Sequence, residues 1–296
     1  MRRVLITGAT GALAQATIEH LKCLACFQIF ATTTNDNPQV DPNIVLLKSN
    51  FCNIAELTKT FYEVDPDLIL HLGASFTNSA LEMYHSNVAP AVALLELTLS
   101  REKKTRIVLA GSAAEYGIVQ AEENPIHEDR ILAPVSMYGI SKTWQTQMMQ
   151  LYADRGADVI CSRIFNLYGS GISENLFAGR VQNQINEIKV GRRTVIEVGA
   201  LSAIRDYVST GEAAQQLLAI ANKGLSGQVY HIGSGIPVTM RDLLMRQLAL
   251  HQIDSNLVRE SSLNYKKQGY DVPVIFANME KTKRLQYQEE KCLHLN

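Results

Sequence analysis

Two apolar periods alternate along the first half of the chain. Short β-branched and aliphatic runs at 3–7, 27–33, 44–47, 68–72, 106–110 and 157–164 read as strands buried on both faces. Between them, residues 12–23, 54–63, 88–100 and 138–155 carry helical spacing. Ala12, Ala16, Ile18 and Leu21 are the apolar candidates of the first helix. Such alternation predicts an α/β fold, a doubly wound parallel sheet with helices on both sides. After about residue 166 the alternation breaks down. Residues 169–173, 191–203, 233–238 and the tail from Asp254 read as inserts, which predicts a smaller, interrupted C-terminal lobe. There is no internal repeat and no low-complexity tract.

The first turn carries chemistry. Gly8-Ala9-Thr10-Gly11-Ala12-Leu13-Ala14 directly follows the first strand and opens a helix. Gly8 permits a tight turn, Gly11 lets the backbone approach a pyrophosphate, and Ala14 lets the helix pack on the sheet. A diphosphate then meets free N–H groups at the helix N-terminus. The sheet is therefore expected to be Rossmann-type, with 1–165 as the dinucleotide-binding domain and 206–234 returning to it. Residues 166–205 and 235–296 would form the substrate lobe.

The second strand ends Ala31-Thr32-Thr33-Thr34-Asn35, without the carboxylate that binds an NAD ribose; Asp36 lies too late. Hydroxyls at Thr32 do not repel a 2′-phosphate, which favours NADP(H) and leaves NAD(H) open, since no Arg or Lys stands nearby to clamp that phosphate. Asn50 and Phe51, after the third strand, are candidates to lie beside an adenine.

Tyr138 and Lys142 stand four apart in Tyr138-Gly139-Ile140-Ser141-Lys142, so both lie on one helical face. An ammonium beside a phenol is expected to lower its pKa and make it a useful proton donor to a carbonyl. Ser112 comes immediately after the fifth strand, at the sheet edge where open α/β folds bind ligands. Its hydroxyl is placed to hold a substrate oxygen beside Tyr138.

Composition narrows the class. Lys plus Arg is 28 and Asp plus Glu 29, so the near-zero charge offers no footprint for nucleic acid. No apolar run reaches the ~18 residues of a membrane span, and the run behind Met1-Arg2-Arg3 stops at Thr7-Gly8, too short for a secretory signal. Five cysteines, Cys23, Cys26, Cys52, Cys161 and Cys292, are too sparse and odd for a disulfide framework and fit a reducing, cytoplasmic setting. Cys23 and Cys26 read as small hydrophobes where a helix gives way to a strand. His71 and His231 read as hydrogen-bonded structural residues, and no ligand spacing suggests a metal. Met137, Met148, Met149 and Leu151 read as core or dimer surface.

Together these residues resemble the extended short-chain dehydrogenase/reductase superfamily. Residues 122–142 look like its E-x-x-P-I-x-E…P…Y-x-x-S-K stretch, and Arg163-Ile164-Phe165-Asn166-Leu167-Tyr168-Gly169 like its R-x-F-N-x-Y-G motif. Residues 198–207, 228–235 and Asp271-Val272-Pro273-Val274 resemble GDP-4-keto-6-deoxymannose reductases. The resemblance implies a sugar nucleotide substrate and a homodimer built from paired helices. It implies catalytic roles for Ser112, Tyr138 and Lys142, with Asn166 on the substrate diphosphate or sugar and Arg205 on a phosphate. The expected cofactor contacts are Gly8, Thr10, Gly11, Ala12, Leu13, Thr32, Asn50, Phe51, Leu72, Gly73, Ala74, Ala110, Tyr138 and Lys142. Ser75, Ser112 and Ala113 join Asn166 and Arg205 on the substrate side.

The departures select a reaction. Family dehydratases carry Asp-Glu directly after the Ser or Thr, where this chain has Ala113 and Ala114. Without those carboxylates elimination lacks its acid and base. Segment 205–212, Arg205-Asp206-Tyr207-Val208-Ser209-Thr210-Gly211-Glu212, drifts from the reductase pattern and leaves the nucleotide base open. The expected activity is NAD(P)H-dependent reduction of the 4-keto group of a nucleotide-diphosphate 4-keto-6-deoxy sugar. The alternatives are an NAD-dependent 4-epimerase with the same residues and a non-catalytic nicotinamide-binding sensor.

Overall fold

The computed structural model describes residues 1–24, 26–34, 44–77, 79–261 and 272–293, the last seven by backbone alone. In chain order the first half holds β1 (Arg2–Thr7), α1 (Ala12–Lys22), β2 (Phe27–Thr33), β3 (Val45–Lys48), α2 (Ile54–Val64) and β4 (Leu68–His71). Then come α3 (Ala80–Met83), a π-helical turn (Tyr84–Val88), α4 (Ala89–Leu99), β5 (Arg106–Ser112), α5 (Met137–Asp154) and β6 (Val159–Ile164). The second half holds β7 (Asn166–Tyr168), α6 (Phe177–Lys189), β8 (Ile196–Val198), β9 (Ile204–Ser209), α7 (Thr210–Lys223) and β10 (Val229–Ile232). It closes with β11 (Pro237–Thr239), α8 (Met240–His251), β12 (Val258–Glu260), β13 (Val274–Ile275) and α9 (Glu280–Leu293).

Seven parallel strands form the main sheet in the order β10-β6-β5-β4-β1-β2-β3. The doubly wound Rossmann-type fold expected from the sequence is what forms. Side chains alternate across the strands. Val4 and Ile6 pack with Ile18 and Leu21 of α1 and Leu217 and Ile220 of α7. Leu5 faces the other layer, with Phe61 of α2, Leu94 of α4, and Met149 and Tyr152 of α5.

Two corrections concern the second half and one helix. Alternation does not stop at residue 166: β9, α7 and β10 form a strand–helix–strand unit that returns the chain to the edge of the main sheet beside β6. Three-residue strands hide in the stretches read as inserts, because a run so short carries no periodicity. β7, β11 and β13 all pair with β9, and β12 pairs with β8. The helix expected at 88–100 starts earlier, at Ala80, and passes through the π turn at 84–88.

Of the methionine-rich set, Met149 is core and Met148 packs against it, whereas Met137 and Leu151 are exposed. Cys23 and Cys26 do occupy the junction between α1 and β2, but both are exposed, so burial is not their role there. Cys292, Asn35, Asp36 and Asp271 lie outside the residues described in full. No helix among the described residues is long and apolar enough to cross a membrane.

Candidate active site

The strand order reverses between β1 and β4, and an open α/β sheet leaves a crevice at the carboxyl ends of such strands. A cavity of about 830 Å³ fills it, walled on the far side by segments of the second half, including Asn166, Asn175 and Arg205. That is the size of a sizeable small-molecule site.

The glycine loop forms one end. Gly8 has φ of +75°, and a Cβ there would lie 2.7 Å from the Cα of Gly73, so only glycine fits without displacing β4's extension. The Ala9 N–H donates to Thr32 O, and Gly11 N–H to Gly8 O. Gly11, the residue before α1, offers no side-chain cap, so the N–H groups of the helix's first turn are left for a ligand. Ala14 is buried beneath them. Gly8, Thr10, Gly11, Ala12 and Leu13 all line the cavity, a cradle that fits a dinucleotide diphosphate.

Ser112, Tyr138 and Lys142 come together on one wall of the same cavity. β5 ends at Ser112, where a 3₁₀ turn over Ala113–Tyr116 begins; the Ser112 hydroxyl accepts from Ala114 N. Helix α5 is capped by Ser136 and delivers Tyr138 on its first turn and Lys142 on the next. The Ser112 hydroxyl stands beside the Tyr138 phenol. Lys142 is buried; its Nζ donates to Ala110 O at 2.9 Å and Gln145 Oε1 at 3.1 Å, and lies 5.8 Å from the Tyr138 ring centroid.

The electrostatics correct one expectation. Burial pushes the Tyr138 phenol up, with the neighbouring Ser112 hydroxyl opposing and the Glu115 charge adding to the rise. Lys142 does not bring it down: its ammonium is engaged by the Ala110 carbonyl and Gln145 and lies 5.8 Å from the centre of the Tyr138 ring. Burial lowers Lys142 itself to about 8. The pair as built holds a protonated phenol.

The remaining expected residues divide. Leu72, Ala74, Ser75, Ala110, Ala113, Asn166 and Arg205 line the cavity. Asn166 donates to Asp206 O, and Arg205 to Ile204 O and Pro273 O. Thr32 does not face the cavity: it is fully buried between its register partners Thr7 and Leu47, and Thr34 is the exposed threonine. Asn50, Phe51 and Gly73 also lie outside the cavity wall. Asn50 caps its own turn by accepting from Cys52 N. Phe51 covers Gly73, whose missing side chain makes room for the ring. His71 bonds Thr7 Oγ1 and His231 bonds Tyr116 and Asn278 O, both structural.

Three site residues escaped the sequence reading. Phe76 lines the cavity and stacks on Tyr138. Asn87, buried in the π turn, accepts from Ser75 N and donates to Ser75 O and Ser141 Oγ, tying the loop after β4 to α5. Such bulges gather at functional sites. Glu115 is fully buried beneath Ser112. A lone acid inside Ala113-Ala114-Glu115-Tyr116 was the available signal for the last; the other two depend on tertiary contact.

With this geometry in hand, known proteins can be compared. The chain is 25% identical over 202 residues to a GDP-6-deoxy-D-mannose reductase of Pseudomonas aeruginosa, a match spanning 66% of each chain and so just under two thirds of that relative. It is 24% identical over 270 residues to a dTDP-glucose 4,6-dehydratase of Haemophilus influenzae, covering 83% of this chain and 78% of the relative. Its fold superposes on a UDP-glucose 4-epimerase of Thermotoga maritima with a TM-score of 0.83 at 19% identity, covering 96% and 92% of the two chains. The model of one family spans residues 4–233, from β1 through β10. The chain belongs to the NAD dependent epimerase/dehydratase family.

Proposed function

We propose that the protein reduces the 4-keto group of a nucleotide-diphosphate 4-keto-6-deoxy sugar, with NADP(H) favoured over NAD(H). The observation that carries this reading is the meeting of Ser112, Tyr138 and Lys142 on one wall, beside Ala113 and Ala114 rather than carboxylates. The Gly8–Ala14 cradle would hold a nicotinamide dinucleotide, which would supply the hydride for C4. Ser112 holds the carbonyl oxygen, and Tyr138, kept protonated by burial, gives its proton to the alkoxide as C4 gains the hydride. Lys142 would hold the ribose next to the nicotinamide. Asn166 and Arg205, on the far wall, would take the diphosphate and sugar; the guanidinium fork suits a phosphate.

Ala113 and Ala114 disfavour dehydration, since no side chain there can move a proton at C5 or C6. The epimerase remains the second reading because the same three residues would serve it. An apolar face on α3 and α5, with Leu81, Ile140 and Trp144 exposed, supports a homodimer.

The test supplies NADPH with 4-keto-6-deoxyhexoses linked to GDP, dTDP, CDP and UDP. One NADPH consumed per product is expected. Conversion of a nucleotide-diphosphate sugar bearing a C4 hydroxyl into its C4 epimer, with NAD present and no net nicotinamide consumption, would establish the epimerase, and NADPH binding with no turnover on any substrate would leave only a sensor.

A further inference from the structure

Glu115 is an acid that the proposed reaction does not use, yet it is completely buried, beneath the end of β5. Burying a carboxylate is costly unless it is paired and hydrogen-bonded. Here it is saturated. Oε1 accepts from the Ser112 backbone N–H at 2.8 Å. Oε2 accepts from Thr146 Oγ1 at 2.8 Å, and from Arg163 Nε at 3.2 Å and Nη2 at 2.9 Å. These donors come from three elements, β5, α5 and β6. Thr146 lies one turn beyond Lys142 and two beyond Tyr138 on α5. The carboxylate thus joins the strand end bearing Ser112 to the helix bearing the phenol and the ammonium. Gly111 makes room for it: a Cβ there would sit 2.7 Å from Oε1.

Lys142 Nζ sits on the carbonyl of Ala110 and Glu115 Oε1 on the N–H of Ser112, two residues along the same strand, so the carboxylate's charge acts on Lys142. Among the described residues that ammonium hydrogen-bonds only a carbonyl and an amide oxygen. The ionisable groups around it are Glu115 from the turn after β5, Cys161 from β6, His71 from β4, and Tyr138 on its own helix, while Arg163 of β6 pairs with Glu115. His71 is held neutral by burial, and burial raises the Cys161 thiol to about 11. Glu115 is then the negative charge that opposes the desolvation of Lys142.

We propose that Glu115 is a positioning residue of this site: it fixes Ser112 against α5 and supplies the countercharge that keeps Lys142 an ammonium. The role rests on Ser112, Tyr138 and Lys142 being the working set. Its countercharge part concerns the free protein, so it can be tested without a substrate.

The experiment follows Lys142 by ¹H–¹³C NMR of protein labelled at lysine Cε, with Lys142→Met to assign the signal. In the wild type the signal is expected to titrate below an ordinary lysine, since burial lowers Lys142. Glu115→Gln keeps one oxygen to accept from Ser112 N, turns an NH2 towards Thr146 Oγ1, which can accept, and removes the charge. Its midpoint is expected to fall by about one pH unit, equivalent to a tenfold loss of ammonium stability. Thr146→Val removes the tie to α5 and keeps the charge. It should leave the midpoint in place and lower kcat on whichever substrate the wild type turns over. If Glu115→Gln does not fold, Glu115→Gln with Arg163→Met gives a neutral pair, since a buried ion pair can be exchanged for uncharged groups; a fall is again expected, smaller because the Arg163 charge leaves with it. An unchanged midpoint in the charge-removed protein, or an equal fall in Thr146→Val, would overturn the countercharge role. Absence of turnover in the wild type would count against the reductase reading and leave the titration result standing.

Discussion

Phe76 lies flat against Tyr138, with ring centroids 4.1 Å apart and planes inclined by 27°. Phe76 is nonetheless 48% exposed, because its other side faces the cavity. One side of the phenol is therefore packed by a residue that contributes little to the core. An aromatic pair of this kind is worth about 0.5–1.5 kcal/mol beyond burial. Phe76→Ala should leave the melting temperature within a few degrees and lower kcat about tenfold as the Tyr138 ring loses its orientation. Steady-state kinetics beside a thermal melt checks it, and unchanged kcat would show that the stack does not orient the phenol.

Removing the Tyr138 hydroxyl while keeping its ring isolates the proton. Positioned acid–base groups contribute about 100- to 10,000-fold. Tyr138→Phe should lose turnover in that range and retain the Phe76 stack and the affinity for nicotinamide dinucleotide. Turnover near the wild-type rate would refute the assigned role.

Gly8→Ala tests the cradle. The added methyl would meet the Gly73 Cα at 2.7 Å, and φ of +75° is strained for alanine. Dinucleotide affinity, read by fluorescence titration, should fall at least tenfold, with a lowered melting temperature. Undiminished affinity would mean that the diphosphate does not bind this turn.

Acid should unfold the protein through its buried histidines. Burial lowers both His71 and His231 from 6.5 to about 3. Between those values the unfolded chain binds protons that the folded chain refuses, so stability is full above pH 6.5 and is lost as pH falls towards 3. From pH 7 to pH 4 each contributes a loss on the order of 2–3 kcal/mol. Urea unfolding at stepped pH should show this slope, and His231→Asn should flatten it. A pH-independent wild-type curve over that window would contradict the burial of both rings.

The exposed apolar face of α3, the π turn and α5 bears Leu81, Tyr84, Ile140 and Trp144, with the Tyr84 and Trp144 rings 5.3 Å apart. A homodimer closed over this face should become monomeric in Trp144→Glu, because the charge would be desolvated at the interface. Sedimentation velocity reads the outcome; a dimeric variant would place the contact elsewhere.

The strand-and-helix order up to β6, the glycine turn and the Ser112, Tyr138 and Lys142 set were legible in the linear pattern. Each is local: strands buried on both faces read as apolar runs, the βα turn needs its glycines in fixed order, and a spacing of four puts Tyr138 and Lys142 on one helical face. The second half was less legible. Three-residue strands such as β8 and β11 are fixed by pairing with partners distant in the chain, not by their own periodicity.

The sequence by itself determined the wound sheet and which side chains would be offered at its carboxyl edge, since periodicity and turn chemistry act over a few residues. Tertiary structure decided what surrounds them. Thr32 was enclosed by the strands on either side, Phe76 was laid on Tyr138, and Asn87 and Glu115 were turned inward to bind elements far away in the chain. It also decided the charge state at the centre. Desolvation depends on everything packed around a group, so it kept the Tyr138 phenol protonated where spacing from Lys142 had pointed to an acidified one.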